Sequence, residues 1–133
     1  IITQCQVGAW DKEEVVKMPR NAPEYVQTEL KCRPIDNLLE EIGIKKVDFI
    51  KMDIDGAEPK ALQGLVRTFE RNPQLKMIIE YYPKYIEDAG LSTDDFNRIV
   101  DKYFDKTIIK GDYGDGYWNY YCVRKQNVDT QKV

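Results

Sequence analysis

At 133 residues, with 42% hydrophobic and 32% charged, the chain has the length and balance of one globular domain rather than a disordered or membrane protein. A net charge of −3, with Lys and Arg interspersed among the acids, leaves no basic stripe for nucleic-acid phosphates, and no run approaches the roughly 20 apolar residues of a membrane span. Histidine is absent, which removes histidine-dependent triads and the usual mixed zinc sites, so acid–base work would fall to Asp, Glu, Lys or Tyr.

Residues 1–8 and 14–18 read as extended stretches bracketing Ala9-Trp10-Asp11-Lys12, a hairpin or paired strands. The start, I-I-T-Q-C-Q-V, lacks the basic flank and apolar core of a signal peptide, so a cytoplasmic location is expected. Cys5, Cys32 and Cys122 are odd in number and widely spaced, which suits buried free thiols better than a disulfide framework or a zinc site. Residues 19–23 form a loop, residues 25–32 a strand ended by Pro34, and Asp36 is placed to cap a helix through Ile42 that Gly43 stops.

Residues 47–54 are an apolar run carrying only Asp48, Lys51 and Asp53, the pattern of a buried parallel strand, and Asp55-Gly56 closes it as a turn. Glu58 and Pro59 suit a first helical turn, and the spacing predicts one helix over 59–71, broken by Asn72-Pro73. A second apolar strand over 77–81 follows, ending in Glu80-Tyr81-Tyr82-Pro83. Strand, crossover helix and strand make a right-handed βαβ unit, so both acidic strand ends share one rim. Ligands bind at the carboxyl ends of strands in open α/β sheets, which makes Asp53, Asp55 and Glu58 the candidate catalytic residues and Glu80, Tyr81 and Tyr82 the candidate substrate or cofactor rim.

Ser92 or Thr93 caps a further helix through about Tyr103, with Phe96, Ile99, Val100 and Tyr103 on its inner face. A third strand over 107–110, a polar loop over 111–116 and an aromatic strand over 117–124 complete a hairpin. Residues 126–133 read as a frayed tail of this single domain, and neither repeats nor low-complexity segments occur.

R-P-I-D-N-L-L at 33–39, V-D-F-I-K-M-D-I-D-G-A-E at 47–58, Leu62, Gly64 and I-I-E-Y-Y-P at 78–83 together resemble the FkbM-type S-adenosylmethionine-dependent methyltransferases, from about Gly8 to about Val123. The resemblance implies O-methylation of sugars, polyketides and related small molecules. It also implies a Rossmann-like α/β fold whose mixed sheet has an antiparallel last strand and flanking helices. The family's acidic turn usually carries Glu where this chain has Asp55. Methyltransferases of this type hold their cofactor through a Gly-rich turn after the first strand and an acid after the second. Upstream of Val47 the only glycines are Gly8 and Gly43, and no G-x-G opens a helix. The chain therefore resembles the C-terminal half of the fold, with weak or no S-adenosylmethionine binding expected. The sheet edge that the upstream strand would cover leads us to expect a homodimer or a rearranged N-terminal segment.

Each reading has a plainer competitor. Lys51 and Asp53 lie two apart on one strand face, which suits a structural ion pair; Asp55 and Glu58 suit helix capping; Tyr81 and Tyr82 suit packing better than a pocket wall. A calcium loop of the EF-hand type fails because Lys51 and Leu62 stand where acids are required, and no metal is expected. M-D-I-D-G and G-D-Y-G-D at 111–115 mimic a haloacid-dehalogenase-type phosphatase, but Ala57 and Glu58 follow the glycine where that family wants Thr or Val and an apolar residue. A non-catalytic binding or assembly module is the other alternative.

Overall fold

The computed structural model describes residues 14–17, 29–110 and 116–126. The expected strand over 1–8, the turn over 9–12, the loop over 19–23, the tip of the loop over 111–115 and the tail over 127–133 lie outside the described residues. Strands β1 (Glu14–Lys17) and β2 (Glu29–Cys32) pair antiparallel in a sheet of their own. The second sheet contains β3 (Phe49–Met52), β4 (Lys76–Tyr81), β5 (Phe104–Lys110) and β6 (Trp118–Arg124), in the order β3-β4-β6-β5. Strands β3 and β4 are parallel, and β6 runs antiparallel to both of its neighbours. The expected α/β architecture, with a mixed sheet, an antiparallel last strand and flanking helices, is the observed one.

Helices α2 (Glu58–Gln63) and α5 (Thr93–Tyr103) pack on each other and against β4 and β5 respectively. Cross-strand partners share a face, so Ile50, Met52, Met77, Ile79, Tyr120 and Cys122 form one side of the sheet. On that side Met52, Met77, Ile79 and Cys122 join Leu62, Phe69, Phe96, Val100 and Phe104 in the core. The opposite side carries Phe49, Lys51, Lys76, Thr107 and Val123, which are exposed, Ile78 and Tyr121, which are half-buried, and Glu80, which is buried. The expectation of a buried strand over 47–54 is therefore corrected. Strand β3 is parallel as read, but it has one neighbour and one covered face among the described residues, and Phe49 is 51% exposed.

Four further corrections have specific causes. The helix expected over 59–71 is two, α2 and α3 (Val66–Arg71), separated at Gly64-Leu65. Asp36 does not cap its own helix α1 (Ile35–Glu41), whose N-cap residue is Pro34. It is 5% exposed and caps α3 instead: its carboxylate accepts from Arg67 N at 2.9 Å, Thr68 N at 2.9 Å and Thr68 Oγ1 at 2.6 Å, while its own N–H donates to Gly64 O at 2.8 Å. One side chain thus satisfies the donors that a new helix start exposes, which is why a fresh helix begins there. Helix α4 (Pro83–Asp88) was not foreseen, because Pro83 reads as a strand stop as readily as a first helical residue. Strand β5 starts at Phe104, directly after α5, rather than at Thr107, since Phe104 turns inward against Phe69.

The Ser92 cap stands as read, accepting from Asp94 N and Asp95 N, and Phe96, Ile99, Val100 and Tyr103 are buried. Cys122 is buried and free, with its thiol pushed up to about 12 by burial, and Cys32 is half-buried. No helix among the described residues is long and apolar enough to cross a membrane.

Asp36→Ala would strand three donors, two of them on the buried Thr68, so a loss of about 2–3 kcal/mol is expected. Urea unfolding should show a lower midpoint with an unchanged slope; a midpoint within error of the parent would remove Asp36 from this role.

Candidate active site

Past Met52 the chain leaves the sheet through Asp53 and Ile54 into a tight turn, with Ala57 N donating to Ile54 O at 3.4 Å. Both central residues have positive φ, Asp55 at 54° and Gly56 at 99°. This is the pattern of a primed turn, for which Asp-Gly is a favoured pair. Gly56 is also required by space, since a Cβ there would lie 2.4 Å from the carbonyl oxygen of Tyr85 in α4. Helix α2 begins at once, with Glu58 in its first turn and Pro59 supplying no N–H that would need a partner.

Glu58 is 1% exposed, and its Oε1 accepts from Ile54 N at 2.9 Å. The side chain thus closes the turn from inside. Burial raises its carboxyl pKa above the ordinary glutamate value, backbone N–H groups led by that of Ile54 pull it down, and the nearby Glu80 pushes it further up.

Because β3 and β4 are parallel, their carboxyl ends emerge together. Met52 pairs with Ile79, so one more step along the register sets Asp53 opposite Glu80. Glu80 is 6% exposed, and its Oε1 accepts from Tyr117 Oη at 2.6 Å. Burial is the largest cause raising its carboxyl pKa; the Tyr117 bond opposes it, Asp53 and Asp55 raise it further, and Lys51 draws it down. Asp53 and Asp55 are exposed, and Asp53 forms the ion pair with Lys51 that its strand spacing suggested.

The two rim tyrosines part company. Tyr81 turns to the core side, with its ring 4.8 Å from Phe96 and 5.8 Å from both Trp118 and Tyr120. Tyr82 stays with the rim, 4.3 Å from the Tyr85 ring and 5.2 Å from that of Tyr117. Asp53, Asp55, Glu58 and Glu80 are therefore brought within electrostatic reach of one another, walled by Tyr82, Tyr85 and Tyr117. Tyr85 and Tyr117 escaped the sequence reading. Placing Tyr117 needed the β4–β6 register, and placing Tyr85 needed α4.

Carboxylates so arranged can orient a hydrogen-bond donor and accept a proton. Among the described residues no group of three or more His, Cys, Asp or Glu converges to hold a metal ion. A surface pocket of about 260 Å³ lined by Glu40, Gly43, Ile44, Lys45 and Arg71 lies at the opposite, amino end of β3.

With Glu58 and Glu80 both raised, the folded chain retains protons that the unfolded chain has released. Their contribution to stability is fully present below about pH 4 and is lost as pH rises through the raised values. Glu58→Gln keeps an acceptor for Ile54 N–H and removes the buried charge, so it should flatten this pH dependence and match or exceed the parent at about pH 7. Glu58→Ala should instead lose about 1–3 kcal/mol. Urea midpoints measured between about pH 4 and 7 decide the matter, and an unaltered pH slope in Glu58→Gln would contradict the assignment.

The S-adenosylmethionine implied by the sequence resemblance would meet the described residues at the strand-end rim. They supply an acidic wall at the strand ends. A Cβ at Gly56 would run into the Tyr85 backbone, whereas one at Gly43 or Gly90 would meet nothing within 4 Å. Comparison with curated proteins and with solved structures returned no match. The model of the methyltransferase FkbM domain matches residues 9–107, most of the chain, and with the strand order and the acidic βα turn already in place, this protein belongs to the FkbM methyltransferase family.

Proposed function

We propose that this methyltransferase domain O-methylates a hydroxyl of a small molecule or sugar at the rim formed by the carboxyl ends of β3 and β4, with S-adenosylmethionine as the donor. The observation that carries the reading is the convergence of Asp53, Asp55 and Glu80 at one strand-end rim, in a chain of this family. Asp53 and Asp55, both exposed, are assigned to orienting the acceptor hydroxyl and taking its proton. Glu58, buried and bonded to the turn, is assigned to shaping it.

Donor binding is proposed to need a glycine-rich strand–helix turn that the sequence upstream of Val47 does not contain. Titration calorimetry on the 133-residue chain should therefore give weak or no binding of S-adenosylmethionine, and a chain extended upstream with such a turn should bind it. Tight binding by the 133 residues alone would overturn this. In the donor-binding form, Asp53→Asn should lower turnover by about 10²-fold with little change in donor affinity. Unchanged turnover would return Asp53 to its ion pair with Lys51.

A further inference from the structure

Tyr117 stands one residue before β6, whose first residue, Trp118, pairs with Tyr81. The register extends to set Tyr117 opposite Tyr82, on the same sheet face as Glu80, and the 5.2 Å ring separation agrees. From there the phenol reaches diagonally to Glu80 Oε1, at the 2.6 Å length of a charge-assisted O–H···O bond. The second oxygen, Oε2, has no hydrogen-bond partner among the described residues. Among the described residues it is not one of the fully buried atoms lacking a partner, which are Trp118 Nε1 and Arg124 Nε, so it is not fully shut off from solvent. A nearly buried carboxylate is thus gripped by one oxygen and open at the other. The charged groups facing it are Asp53 and Asp55 from the turn, Lys51 from β3 and Glu58 from α2. None of them donates a hydrogen bond to it among the described residues.

Resting on the methyltransferase reading above, we propose that Tyr117 is a positioning residue for the acceptor: it clamps Oε1 of Glu80 so that Oε2 is held at the rim to accept a hydrogen bond from an acceptor hydroxyl or amine. A phenol that served only to cover a buried carboxylate would not control what the free oxygen binds.

The test uses the whole chain, carboxyl-labelled at glutamate, with glucosamine as the probe because it offers both hydroxyls and an ammonium. In Tyr117→Phe the ring against Tyr82 is kept and the hydroxyl removed. The Glu80 titration midpoint followed by NMR should rise by about one pH unit, and the glucosamine-induced shift of the Glu80 signal should need about tenfold more probe. Glu80→Asp, which draws the carboxylate back from an intact Tyr117, should weaken the probe to a similar degree. An unmoved midpoint in Tyr117→Phe, parent-like glucosamine affinity in either variant, or a Glu80 signal that ignores glucosamine in the parent chain would each overturn the proposal. The methyltransferase reading fails separately, through the donor-binding and turnover measurements.

Discussion

The rim depends on one hydrogen bond, from Ile54 N to the carboxylate of Glu58, made where the chain leaves β3 for α2. Where the chain leaves β3 for a turn with positive φ at Asp55 and Gly56, the Ile54 N–H is no longer held by the strand ladder, and a donor left without a partner on burial costs about 1–3 kcal/mol. Glu58 supplies the acceptor from the first turn of the next helix. Desolvation still outweighs its backbone bonds, since the carboxyl is raised. The chain accepts an unfavourable buried acid because the turn it closes aims Asp53 and Asp55 outward and seats Gly56 on the backbone of Tyr85. Through that contact the acidic turn packs directly on the helix that carries Tyr85.

Asp36 plays the corresponding part on the other flank, fastening α1 to the start of α3 across about thirty residues of chain. These two buried acids matter more than the many surface pairs. Lys46–Asp48, Lys84–Asp88 and Arg98–Asp95 are well formed, but each has at least one largely exposed partner, and such pairs contribute about 0–1 kcal/mol. The apolar core lies on one side of the sheet, so the rim is held from the helical side, while on the other face Phe49, Lys51, Lys76 and Val123 are exposed.

Local signals carried much of this fold. The apolar run at 77–81, the Ser92 cap and the apolar spacing of α5 are decided by neighbours within a few residues, and each was legible in the sequence. The βα turn at 53–58 was legible too, because Asp-Gly followed by an acid and a proline admits few conformations. Contacts between distant segments were not legible. Asp36 looks like the cap of its own helix until α3 is folded beside it, and the exposure of Phe49 depends on which layers cover the sheet. Tyr117 gains its meaning only from the strand it crosses. Glu58 shows the difference most clearly: its placement in the first helical turn was foreseen, while its inward orientation follows from an orphan N–H four residues back.

Amide NMR of an upstream-extended chain titrated with S-adenosylmethionine tests the central claim, that the β3–α2 turn is the working end of a methyltransferase, most directly. The largest shifts should fall on residues 53–58, with smaller ones at Tyr82 and Glu80. Shifts centred on the amino end of β3, around residues 43–46, with the turn unmoved, would contradict it.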